Sequence, residues 1–111
     1  MHWIHLSDEE QLKQLITKSH SRPQVIFKHS TRCSISSVAL HRLQKSQQPG
    51  DLDFYYLDLL AHRPLSNKIA EVFKIHHESP QVLLIIDGKC VFNESHLGIS
   101  MSDIEEHAKA A

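Results

Sequence analysis

The chain predicts an α/β fold in one domain spanning residues 1–111, with a mixed central sheet of about five strands flanked by four helices in the order βαβαβαββα. Three observations carry this. Short apolar runs of strand type alternate with segments of helical periodicity, as in sheets built with crossover helices. The runs at Val25, Ile26, Phe27 and at Phe54, Tyr55, Tyr56, Leu57 show no polar alternation, so both faces of those strands are covered. The run 82–86 ends at Asp87-Gly88, a two-residue hairpin signal that turns the last strand antiparallel.

In chain order, residues 3–6 suit a short edge strand. Ser7 followed by Asp8, Glu9 and Glu10 reads as a helix start, with Ser7 as cap, Glu10 completing a capping box and the acids in the first turn. Leu12, Leu15 and Ile16 give that helix a buried face, and Pro23 prevents its continuation. The strand at 25–27 leads into a polar loop in which Ser30 and Thr31 can cap a second helix, with Ile35, Val38, Ala39 and Leu43 along one face. This helix should fade near Lys45, before the turn chemistry of Gln47-Gln48-Pro49-Gly50. Residues 53–60 form a strand parallel to the first central one. A helix over 64–74 turns Leu65, Ile69, Val72 and Phe73 inward, the hairpin follows, and a last helix is capped by Ser102 or Asp103. A parallel central pair, an antiparallel hairpin and a terminal helix make the thioredoxin arrangement, which by itself does not give function.

Bulk properties exclude several classes. A net charge of −1 gives no electrostatic footprint for nucleic acid or an acidic membrane surface. The longest apolar run, 82–86, is far short of a membrane span, and no secretory signal is visible. Two widely separated cysteines are no disulfide framework, so the expected compartment is a reducing cytoplasm. Ten histidines are scattered without the spacing of a zinc site, and no metal is expected.

Cys33 is the sharpest chemical feature. It stands at or just inside a helix N-terminus, where unpaired backbone N–H groups and the macrodipole favour an anion. Arg32 beside it, with Lys28 and His29 upstream, adds positive potential. Such surroundings lower a thiol's pKa and make it a nucleophile at neutral pH. The alternative is a buried, inert thiol. Ser36 decides the mechanism: a dithiol redox site would carry cysteine there. A serine can hydrogen-bond the Cys33 thiolate but cannot attack a mixed disulfide, which leaves monothiol exchange with an external thiol. Cys33 and Ser36 are therefore the candidate catalytic pair. Ser79-Pro80 precedes the strand 82–86 where this fold places a cis-proline, and the backbone of the preceding residue can pair with an extended substrate. Cys90, among Val91 and Phe92, reads as a structural thiol.

The segment Phe27-Lys28-His29-Ser30-Thr31-Arg32-Cys33-Ser34-Ile35-Ser36 strongly resembles the monothiol bacilliredoxins of the bacillithiol system. Arg63-Pro64-Leu65-Ser66-Asn67, His77-Glu78-Ser79-Pro80-Gln81, Asp87-Gly88-Lys89 and Ser95-His96 extend the resemblance over almost the whole chain. One departure is Ser34, where the family commonly has proline. Monothiol glutaredoxins, by contrast, carry a Gly-Gly segment for glutathione after the proline strand, and residues 93–98 contain none. Thioredoxins proper have a buried aspartate where Phe27 stands, so a proton relay from that position is excluded.

The resemblance implies a substrate, a protein cysteine capped by bacillithiol, with bacillithiol as co-substrate and no bound cofactor. Cys33 would take the cap, a second bacillithiol would remove it, and a separate bacillithiol disulfide reductase would act indirectly. The malate carboxylates of bacillithiol call for cationic groups, for which Arg32, Arg63 and His96 are candidates, with Ser34, Ser79 and Pro80 completing the substrate-binding set. A glutaredoxin-like enzyme using another small thiol, and a non-catalytic interaction module, remain as alternatives.

Overall fold

The structure is a computed structural model describing residues 1–111. Its elements are β1 (Trp3–His5), α1 (Glu9–Lys18), β2 (Gln24–His29), α2 (Ser34–Lys45), β3 (Asp53–Asp58), α3 (Arg63–Phe73), β4 (Gln81–Ile86), β5 (Lys89–Ser95), a single 3₁₀ turn (His96–Gly98) and α4 (Met101–Ala110). The sheet runs β1-β3-β2-β4-β5. β1 and β2 pair parallel to β3, while β4 is antiparallel to both β2 and β5. Asp87 and Gly88 both have positive φ, as the tight hairpin requires. That turn is held by α1, since Asp87 N–H and Gly88 N–H donate to Ser19 C=O and Ser19 Oγ.

Alternation along the central strands divides the interior in two. Ile26, Leu57, Leu83 and Ile85 face α1 and α3, meeting Leu12, Leu15, Leu65 and Ile69. Val25, Phe27, Phe54, Val82 and Leu84 face α2 and α4, meeting Ala39, Leu43, Met101 and Ile104. All six residues of β2 are buried, which makes it the spine of the molecule.

Several local expectations are corrected. Asp8, not Ser7, caps α1 by accepting Gln11 N–H, and it is the Gln11 side chain that reaches back to Ser7 N–H. α2 has no side-chain cap from Ser30 or Thr31; its N-cap is Cys33. Its buried face is Ser36, Ala39 and Leu43, leaving Ile35 and Val38 40 % and 47 % exposed, because Ser36 is drawn inward by His29 at the end of β2 and by Ser30 N–H in the loop after it. Val72 of α3 is likewise exposed and Ser66 buried. α4 starts earlier than expected, capped by Ser100, which accepts Asp103 N–H.

Candidate active site

The site forms where β2 ends. His29 C=O accepts Leu59 N–H, and a turn returns the chain so that Cys33 N–H donates to Ser30 C=O. Cys33 then adopts the extended conformation of an N-cap residue, and its carbonyl accepts Ser37 N–H. The first amides of α2 have no acceptor within the helix and lie at the end that carries the sulfur. Cys33 is partly exposed and free, without a capping hydrogen bond in the resting thiol. The residue is reached from solvent rather than sealed in the core. Arg32 and Ser34, on either side, are both exposed.

The surrounding charges differ from the sequence expectation. His29 is buried, and desolvation lowers its pKa, with the Asp58 charge and the Ser36 hydrogen bond opposing; it adds no positive charge at neutral pH. Lys28 is also fully buried, and burial pushes its ammonium down to about 8. It lies on the sheet face away from α2, where Nζ donates to Ser66 C=O and sits 3.2 Å from His77 Nδ1.

Ser36 requires a correction. It is fully buried, its Oγ lies 2.6 Å from His29 Nδ1, and it accepts Ser30 N–H at 3.0 Å. It makes no hydrogen bond to Cys33; the hydroxyl is directed at β2 instead.

The Ser79-Pro80 peptide is cis, as expected for this fold. β4 pairs with β2 so that Gln81 opposes Lys28, which places Pro80 beside the end of β2 from which the Cys33 loop departs. His96 joins this group, its N–H donating to Pro80 C=O at 3.0 Å. Its ring, however, faces a carboxylate: Nε2 is 3.5 Å from Glu78 Oε2, so His96 is no free cation. Arg63 opens α3, which follows β3 at the same end of the sheet. Neither the Arg32 nor the Arg63 side chain has a hydrogen-bond or ion-pair partner within the protein.

Cys90 opposes Ile85 on β4, and Ile85 in turn opposes Gln24 at the start of β2. Its thiol is therefore displaced from the Lys28 end by four strand residues, roughly 13 Å, and packs on the α1/α3 side. Burial raises its pKa, and Sγ donates to Phe92 C=O. No group of three or more His, Cys, Asp or Glu stands together as a metal set. The contacts of His29, His77 and Glu78 were not legible in the sequence. Their only signal was polarity inside apolar or motif-bearing stretches.

Among solved structures, the chain is similar to a proposed oxidoreductase with a thioredoxin fold, at 34% identity and TM-score 0.82 over 94% of this chain and 91% of that one. It is also similar to thioredoxins of Fasciola hepatica (17% identity, TM-score 0.75, 96% of each chain) and Trypanosoma brucei brucei (11%, 0.77, 98% of this chain and 89% of that one). These last two show the fold alone. With a cysteine at the α2 N-terminus, serine three positions on and a cis-proline opposite, the chain has the parts of a monothiol thiol-disulfide oxidoreductase. Residues 4–104 match the model of monothiol bacilliredoxin BrxC, and the chain belongs to that family.

Proposed function

We propose that this protein removes bacillithiol from mixed disulfides on protein cysteines. The Cys33 thiolate attacks the bacillithiol sulfur. A Cys33–bacillithiol disulfide forms, the bond to the target breaks, and the target leaves as thiolate to take a proton from solvent. A second bacillithiol, as thiolate, attacks the same bacillithiol sulfur. Cys33 is released as thiolate and bacillithiol disulfide departs, to be reduced by a separate enzyme.

The observation that carries this reading is the pairing of a free, partly exposed thiol at a helix N-terminus with the absence of a thiol partner nearby: Ser36 stands where one would be, and Cys90 lies at the other end of the sheet. An intermediate capped at Cys33 has no internal route to resolution. Arg32 and Arg63, both unpaired, suit the malate carboxylates, with arginine able to bind them bidentately. The Ser79 backbone and the Ser34 N–H would orient the peptide side of the substrate. His96, held by Glu78, is the weaker candidate. The proposed setting is the cytoplasm; no helix is long and apolar enough to cross a membrane.

The test offers a model protein capped with bacillithiol or with glutathione and follows release of its free thiol. Faster release from the bacillithiol form, lost in Cys33→Ser and kept in Cys90→Ser, is expected. Preference for glutathione would replace the co-substrate, and release indifferent to Cys33 would reduce the protein to a passive module.

A further inference from the structure

The contact of 2.6 Å between Ser36 Oγ and His29 Nδ1 has no part in the exchange steps above. Ser36 is fully buried, and its oxygen also accepts Ser30 N–H. A hydroxyl has one proton and two lone pairs, and a proton sealed from solvent needs an acceptor. His29 Nδ1 is the acceptor in place, so Ser36 donates and neutral His29 carries its own proton on Nε2. Desolvation favours that neutral imidazole. Asp58, opposite His29 on β3, is the charged group facing it and pulls the other way; Tyr56 and Phe27 contribute rings at 5.5 and 5.7 Å.

A proton reaching Nδ1 reverses the contact. The imidazolium then donates to Ser36 Oγ, both lone pairs of that oxygen are filled, and the hydroxyl proton must find another acceptor. Cys33 and Ser36 occupy the N-cap and third positions of α2, a spacing of three that puts side chains side by side at the helix end; a rotation of the partly exposed Cys33 side chain would carry its sulfur to the released hydroxyl proton. We propose that His29 is a positioning residue that, through Ser36, sets whether the Cys33 sulfur receives a side-chain hydrogen bond: none while the imidazole accepts from Ser36, one when it does not. The inference rests on Cys33 being the nucleophile. At rest the hydroxyl is withheld, so the thiolate leans on the α2 amides alone. That keeps it less stabilised and more nucleophilic than a thiolate with an added donor.

The test measures iodoacetamide alkylation of Cys33 against pH in a Cys90→Ser background, for the reference protein, His29→Phe, Ser36→Ala and the double variant. Phenylalanine keeps a flat ring against Phe27 and Tyr56 but removes the acceptor. With Ser36 present, His29→Phe should lower the pH of half-maximal alkylation by about one unit, the effect of one hydrogen bond to a charged group. With alanine at 36 it should not move. A shift of equal size in both backgrounds, or none in either, overturns the proposal. Should His29→Phe not fold, NMR titration of His29 replaces it. Cys33→Ala should then shift the His29 midpoint only when Ser36 is present, and equal shifts with and without Ser36 overturn the proposal. A reference protein alkylated only above about pH 8.5 would instead sink the exchange reading, while the comparison of backgrounds still decides the role of His29.

Discussion

Lys28 is fully buried with no carboxylate beside it, its ammonium resting on a carbonyl and an imidazole. Its pKa is lowered to about 8 in the folded protein, below the 10.5 of the free side chain. Between those values the unfolded chain binds more protons than the folded one, so stability rises with pH across that window. Below about 8 the burden is fully present, at most about 3 kcal/mol. In a Cys33→Ser, Cys90→Ser background, where thiols do not titrate, urea unfolding should show a higher midpoint at pH 10 than at pH 7.5. Lys28→Met should flatten that dependence and stabilise the protein at neutral pH. A midpoint independent of pH in that background, with Lys28 in place, would contradict the burial of a charged Lys28. At the rim of the site, Arg63→Ala should raise the half-saturating concentration of bacillithiol-capped substrate about three- to tenfold, the loss of one charge-assisted contact. Unchanged saturation would remove Arg63 from the site. The position of Cys33 and the cis-proline were legible because strand, loop and helix signals bracket them. The partners of Ser36, Lys28 and His29 were not. In a strand buried on both faces, pattern alone does not say which neighbour receives an inward polar group.

The elements are tied together at their ends. Asp53, at the start of β3, accepts from Gln24 at 2.8 Å and pairs with Lys18 and Arg22 at 3.0 Å each, joining α1, β2 and β3. Burial would raise its pKa, but these partners outweigh burial and hold it below its ordinary value. Its contribution is therefore present above the unfolded value of about 3.9 and lost as pH falls through the lower folded one. Asp53→Asn should lower the unfolding midpoint at neutral pH and leave a shallower loss of stability below pH 4; equal acid sensitivity in both proteins would contradict this. Ser100→Ala should cost about 1 kcal/mol by removing the α4 cap, read by urea unfolding, whereas Ser102→Ala should cost little. Helix existence and order were readable from periodicity. The caps were misplaced by one to three residues because neighbouring residues are equally competent in isolation. For α1 the choice falls on Asp8 because Gln11 bonds Ser7 and also His5 C=O, anchoring the entry from β1.

At the scale of the whole molecule, a spine buried on both faces lets one end of the sheet carry the chemistry while two cores pack against its faces. The thioredoxin-like topology was legible because only a parallel pair followed by a hairpin fits the runs and turns. The exposed side of α2 was not, since 35–38 and 36–39–43 both satisfy helical spacing and only contact with β2 selects between them. That topology puts the two thiols at opposite ends of the sheet and on opposite sides of it. Cys33 must therefore hold any cap it takes until a free thiol arrives. The direct measurement is the intact mass of the reduced protein after one equivalent of a bacillithiol-capped target, without free bacillithiol. A single bacillithiol adduct is expected, mapped to Cys33, with Cys90 still free. Loss of two protons in place of an adduct, the mark of a Cys33–Cys90 disulfide, or an adduct on Cys90, would contradict it.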